Sequence, residues 1–172
     1  MRIKHTKSKL TVLSFFIVAC SCKQLIESKT ERAGEPDVFN VSESNNEMKV
    51  AIEEARNNIH LFKEALKSDN PNFEYFAIKQ KFTGVENDEH IWIGDITIEK
   101  ENFIGVISNV PIYDKKVKLG DTITIDNEKI SDWLYYENGI VRGGYTIRVI
   151  RESLPKDERE IFDYENGLIF DN

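Results

Sequence analysis

The sequence predicts an α+β domain in which one long N-terminal helix packs on a strongly bent, mostly antiparallel sheet of five or six strands, drawn toward a partly closed barrel. Three observations lead there. A helical period runs from Met48 to Leu66, short period-two segments follow Pro71, and one segment changes phase in mid-strand at Gly94-Asp95.

Ahead of the domain, Met1 to Lys9 carries Arg2, Lys4, Lys7 and Lys9 and no acid, and Leu10 to Ala19 is almost wholly apolar. These are the charged and apolar regions of a signal peptide, and the apolar run is about half of the ~20 residues a membrane-spanning helix needs. The run closes Ile17-Val18-Ala19-Cys20, which resembles a lipobox. Residues 1–19 are therefore expected to be a lipoprotein signal peptide, with lipid (palmitate among its acyl chains) on Cys20 anchoring the chain to a membrane of the cell envelope. Ser21 is not the aspartate associated with inner-membrane retention, which points to the outer membrane or periplasmic face where two membranes exist.

Removing residues 1–19 takes four of the 23 basic residues and none of the 30 acids, leaving 19 against 30, a net charge of −11. Such a surface repels phosphate backbones, so nucleic acid is not an expected partner. With Cys20 lipidated, Cys22 alone remains and no intramolecular disulfide can form. Residues 20–43 are polar and aperiodic, with Gly34 and Pro36, and read as a lipidated N-terminus followed by a flexible tether.

The domain proper is expected over 44–154. Ser44 and Glu47 read as a capping box, and Met48, Ile52, Ala55, Ile59, Phe62 and Leu66 form one apolar stripe that ends before Pro71. Strands are predicted over Phe76–Phe82, His90–Ile98, Phe103–Ser108, Thr122–Ile125, Lys129–Tyr136 and Ile140–Arg151. Ile91 and Ile93 share one phase and Ile96 and Ile98 the other, so a bulge is expected at Gly94-Asp95. Asn138-Gly139 suits a two-residue type I′ hairpin, which sets Glu137 opposite Ile140, Leu134 opposite Gly143, Trp133 opposite Gly144 and Ser131 opposite Thr146. The glycine pair would leave room for the Trp133 indole.

The strings Glu89-His90-Ile91-Trp92, Asn109-Val110-Pro111, Leu119-Gly120-Asp121, Ile130-Ser131-Asp132-Trp133 and Gly143-Gly144-Tyr145-Thr146 occur in an order that resembles the YegJ-like family of bacterial domains of unknown function. The resemblance runs from about Glu47 to about Leu154. It implies a domain of this kind, in a lipoprotein context shared by some members, and no established activity, cofactor or substrate. Residues 155–172, with five acids from Asp157 to Glu165, fall outside it and read as an acidic C-terminal extension.

Chemistry has few candidates. No GxSxG elbow, HExxH helix, Walker loop or CxxC pair occurs, and His60 and His90 lack metal-ligand spacing, so neither a metal nor a cofactor is expected. His90 could act as acid or base with Asp132 or Glu89, but a strand histidine bonded near the core is the favoured reading, and His60 reads as structural. Ser131 and Asp132 are strand neighbours facing opposite ways, which disfavours a triad. Arg148 is a candidate ion-pair partner for Asp132. Among aromatics, Trp92, Trp133, Tyr113, Tyr135 and Tyr145 could bind a peptide or glycan, or simply fill a β core. The binding set is thus His90, Trp92, Asn109, Ser131, Asp132, Trp133 and Tyr145. The favoured function is a noncatalytic binding or interaction module for an envelope protein, peptide or glycan. The alternatives are an envelope hydrolase and an acidic inhibitor or immunity protein against a basic toxin or enzyme.

Overall fold

The computed structural model describes residues 25–30, 38–41, 45–84, 87–114 and 116–171. The expected signal peptide, Cys20, Cys22 and Ser44 of the capping box lie outside the described residues. Within the stretch read as a tether, β1 (Ile26–Thr30) pairs antiparallel with β2 (Val38–Val41). Ile26 lies opposite Val41 at the base of this ribbon, and Leu25 just before it is buried.

The apolar stripe forms two helices where one is expected, α1 (Asn46–Asn57) and α2 (Ile59–Lys67). They part at Asn58, whose side-chain amide donates to the Glu54 carbonyl at 2.9 Å, a local bond that competes with helix continuation. Asn45 caps α1, its Oδ1 accepting from the amides of Glu47 and Met48 at 2.9 and 3.1 Å. One stripe serves two cores: Met48, in the first turn of α1, packs against one cluster, and Ala55 of the same helix, with Ile59, Phe62 and Leu66 of α2, against the other.

The sheet comprises β3 (Phe73–Thr83), β4 (Asp88–Glu99), β5 (Asn102–Ile107), β6 (Thr122–Thr124), β7 (Ile130–Glu137) and β8 (Ile140–Gly143), in the spatial order β6-β5-β4-β3-β7-β8. Every pairing is antiparallel. Since β6 and β8 lie at opposite ends of that order, the sheet is open, and the suggested barrel closure is not found. The β4–β5 register shifts between Gly94 and Thr97, with Asp95 at φ 49°, and this bulge brings Ile91, Ile93, Ile96 and Ile98 onto one core despite their change of phase.

The hairpin forms as expected. Asn138 and Gly139 both have positive φ (52° and 77°), Glu137 faces Ile140 and Leu134 faces Gly143. A Cβ on Gly143 would lie 2.5 Å from the Trp133 ring, so this glycine does make room for the indole. Beyond it the chain leaves the sheet: Gly143 and Gly144 are consecutively left-handed (φ 76° and 67°), and α3 (Tyr145–Ser153) begins. The strand expected to continue to Arg151 therefore ends at Gly143. Thr146, Ile147 and Ile150 are buried at helical spacing, and Thr146 does not pair with Ser131.

The C-terminal residues are also part of the fold. After α4 (Lys156–Glu165), Phe162 and Leu168 are buried, and the Val141 amide on the outer edge of β8 donates to Ile169 O at 2.8 Å. Phe170 lies under the guanidinium groups of Arg148 and Arg151, at 4.4 and 5.3 Å, and Asp171 pairs with Arg142.

Two apolar clusters result. On the first face Phe62 meets Phe76, Phe103 and Trp133 edge-on or tilted at 5.5 to 5.7 Å, among Ile78, Ile91, Ile93 and Ile107. On the second, Ala77, Leu134 and Val141 meet Ile147, Ile150, Phe162 and Leu168. Burying each larger side chain contributes about 1.5–3 kcal/mol.

Candidate functional site

Alternation along β3 sends Phe76 and Ile78 to the first cluster and Ala77 to the second, so Lys79 and Lys81 share the second face with Ala77. Cross-strand pairing sets Trp92 beside Lys79 and His90 beside Lys81. This face, with α1, α3, α4 and the 108–114 loop around it, bounds a groove of about 1270 Å³. Its lining is mixed: Trp92, Tyr113, Tyr75 and Tyr136 supply rings, Lys79, Lys81 and His90 the polar floor, and Ile147, Ile150 and Phe162 an apolar end.

Beneath the floor lies Asp132, fully buried. Its Oδ1 accepts from the amides of Trp133 and Tyr145 at 2.8 and 3.0 Å, and its Oδ2 accepts from the Thr146 amide and hydroxyl at 2.9 and 2.5 Å. Gly144, at the head of α3, has no side chain to cap the helix, and Asp132 supplies the cap from β7. Lys79 Nζ donates to Thr146 Oγ1 at 3.1 Å and lies 4.7 Å from the centre of the Trp92 ring. Burial pushes the Asp132 carboxyl up and the Lys79 ammonium down, while their mutual attraction opposes both shifts. The donors surrounding Asp132 suit its ionised form.

The other carboxylate considered for catalysis is engaged in the same way. Glu89 is buried and accepts from the amides of Ile112 and Tyr113 at 2.9 Å and of Asp114 at 3.4 Å, so it holds the 112–114 loop. His90 pairs through Nδ1 with Ser131 Oγ at 2.8 Å, and Ser131 Oγ also donates to Lys79 O at 3.3 Å. The arrangement is a strand-to-strand tie, with Ser131 itself buried. Asn109 Oδ1 accepts from the Trp92 amide at 2.9 Å, occupying a ladder position as β5 ends, and so positions the Trp92 backbone.

The structure thus gathers His90, Trp92, Asn109, Ser131 and Asp132 on or under one face, Ser131 and Asp132 not facing opposite ways as expected because the β3–β7 register shifts at Ser131, and it separates Trp133 and Tyr145 from them. Trp133 is 2% exposed, its Nε1 donating to Ala55 O at 2.8 Å, and the Tyr145 ring packs edge-on against it at 5.5 Å on the first face. They belong to a smaller cleft of about 440 Å³ with Tyr135 and Arg142. Arg148 does not pair with Asp132: its Nε and Nη2 donate to the carbonyls of Gly143 and Val141. His60 is exposed on α2, with Nδ1 3.1 Å from Asn57 O.

Sequence reasoning passed over Lys79, Thr146 and Tyr75. For Lys79 a signal was present, since it alternates with Ile78 and Gln80 in a strand whose apolar residues face the core. Tyr75 gave none: it is a non-glycine residue at φ 58°, within the β3–β7 register shift, and its ring stands 78% exposed against Tyr136 at 5.9 Å. Among the described residues no group of three or more His, Cys, Asp or Glu is placed to hold a metal, and no helix is long and apolar enough to cross a membrane.

A family model described as an uncharacterised protein conserved in bacteria (DUF2314) matches residues 45–170. That match includes α4 and the tail, which the sequence reading set apart as an extension. The chain is 36% identical over 113 residues to an uncharacterised protein, YegJ, of Escherichia coli K12, covering 66% of this chain and 72% of the relative. It is 35% identical over 82 residues to a protein of Neisseria meningitidis serogroup B provisionally named an ankyrin repeat protein, covering 48% of this chain and 32% of that one. No solved structure matches.

Proposed function

This chain belongs to the DUF2314 family of bacterial proteins, and on that premise we propose that it is a noncatalytic binding module whose ligand, a protein segment, peptide or glycan, lies in the groove on the second face of the sheet. One observation carries the reading. The two carboxylates that could have made His90 an acid–base pair are both spent on backbone amides, Asp132 on the head of α3 and Glu89 on the 112–114 loop, while the groove beside them is lined by aromatic rings and a few polar groups. Lipid on Cys20 would display this groove at the cell envelope.

A photo-crosslinking amino acid placed at Tyr113, in the groove, and at Leu119, 55% exposed elsewhere, tests the reading in intact cells. Adducts specific to Tyr113 are expected, and they should persist in His90→Ala. Equal or absent labelling at the two positions would overturn it. Metabolic labelling with a palmitate analogue, lost in Cys20→Ala, is the expected result for the anchor, and an unlabelled wild-type chain would remove that part.

A further inference from the structure

We infer that the ligand is an extended, basic polypeptide segment, and that it binds by pairing its backbone with a split in the sheet between β3 and β4. This rests on the binding reading above and selects polypeptide over glycan among the ligands named there. The β3–β4 ladder ends at Ile78–Ile93, although β3 begins at Phe73 and β4 runs on to Glu99. Each strand keeps its other neighbour past that point: β3 pairs with β7 through Phe73 and Glu74, and β4 with β5 through Thr97, Ile98 and Glu99. No strand among the described residues pairs with the inner edges of these two arms.

The split has a local cause. β3 takes in one extra residue against β7 between Glu74 and Ala77, and β4 takes in one extra against β5 between Gly94 and Thr97. Continuing the count of the β3–β4 ladder sets Tyr75 opposite Ile96 and Phe76 opposite Asp95, so the two bulges face each other. Tyr75 and Asp95 hold φ of 58° and 49° there. One bulge bends a strand, and two at the same level end the pairing between their strands. Packing does not explain the strained backbone of Tyr75, whose ring is 78% exposed, and such strain is a mark of function.

The groove opens at this split, with residues 75–77 of one arm and 94–97 of the other in its lining beside Trp92 and Tyr136. A strand edge presents N–H and C=O groups at the spacing of an extended chain, so a polypeptide laid along it gains a ladder of hydrogen bonds, which a glycan cannot match. Charge narrows the choice further. Lys81 pairs with Asp88 at 2.6 Å, Lys79 lies near Asp132, and Lys49 and Arg56 on the α1 wall alternate with Glu53. On the arms, by contrast, Glu74, Asp95 and Glu99 are exposed and make no ion pair among the described residues. Lys or Arg on the incoming segment would complement them, and the exposed Tyr75 ring offers a face to the same cations.

The experiment uses the chain from Ser21 onward and a synthetic library of end-blocked octapeptides with Lys or Arg at alternate positions. Binders are expected, and saturation with one should slow exchange of backbone amides among residues 74–77 and 94–98 at least ~10-fold while those of β6 stay unchanged. N-methylation moved along the peptide should weaken binding at least ~10-fold at every second residue and little in between, the period of a strand edge. Thr97→Trp, at an exposed position in the split, should weaken binding at least ~10-fold, and Leu119→Trp, elsewhere on the surface, should not, both after a melting curve like that of wild type. Asp95→Asn, which tolerates the same positive φ, should reduce the salt dependence of binding. Chitotetraose, as the glycan probe, should protect none of these amides. A library without binders, equal binding by an acidic version of it, a methylation scan without the two-residue period, or protection by chitotetraose alone would overturn the inference. Photo-adducts at Tyr113 that survive such a result would keep the groove as a binding site for a ligand that adds no strand, and their absence would sink the binding reading itself.

Discussion

Replacing Asp132 by asparagine tests the cap on α3, because the change keeps shape and removes one acceptor and the charge. Each carboxylate oxygen receives two bonds, the Trp133 and Tyr145 amides on Oδ1 and the Thr146 amide and hydroxyl on Oδ2. An asparagine NH2 in the Oδ1 position would orphan two amides. In the Oδ2 position it would orphan one, since the Thr146 hydroxyl can turn to accept. The second arrangement is the cheaper, and an unsatisfied buried donor costs about 1–3 kcal/mol. Lys79, joined to Asp132 through Thr146 Oγ1, also loses a nearby counter-charge in either case, and the bonds lost to a charged acceptor are each worth about 1.5–3 kcal/mol. We therefore expect Asp132→Asn to lose about 2–4 kcal/mol in urea denaturation followed by tryptophan fluorescence, with Tm lower by roughly 5–15 °C. Adding Lys79→Met should recover part of the loss, because the orphaned ammonium goes with it. A loss below about 1 kcal/mol for the single variant would refute the account of Asp132 as the cap that α3 lacks.

Other outcomes follow from local geometry. Gly143→Ala should cost about 3 kcal/mol or more in the same assay, since a Cβ would stand 2.3 Å from Trp133 O at a φ of 76°. Tyr75→Gly should leave stability unchanged or raise it by about 0.5–1 kcal/mol by relieving the positive φ, whereas Tyr75→Ala should not; parallel melting curves decide this. The Arg142 hydrogen bond, reinforced by its charge, holds the Asp171 carboxyl below the usual aspartate range. The contribution of this pair is therefore present above that range and lost as pH falls through the lowered value, so protection of tail amides in hydrogen exchange should decline on strong acidification. Added salt at neutral pH should produce a similar but smaller decline.

Features written in local chemistry were legible: the Asn138-Gly139 turn, the register it imposes, and the bulge at Gly94-Asp95, where isoleucines that change phase can share one core only if the strand takes in an extra residue. Less legible was punctuation whose meaning depends on distant partners. Gly143-Gly144 read as room for an indole, which holds for Gly143, yet the pair also turns the chain out of the sheet and starts a helix. The spacing of Thr146, Ile147 and Ile150 was the available cue to α3. The break at Asn58 hid inside an unbroken apolar stripe, because a stripe records which residues face the interior and not whether the backbone between them stays helical. In the candidate site, His90 and Asp132 were visible as residue types, but their partners, Ser131 and the head of α3, depend on pairing across strands and on a helix whose residues alternate like a strand.

The path of residues 167–171 matters for how the protein can be handled. A β-edge invites a neighbouring chain to add a strand. Here the outer edge of β8 is shielded by residues 169–171, through the Val141-to-Ile169 bond, the Arg142–Asp171 pair and Phe170 beneath two arginines. A preparation in which residues 169–171 are displaced, by a tag joined close to them for instance, would expose this edge, and clumping there would report on the displaced segment before it reported on the domain.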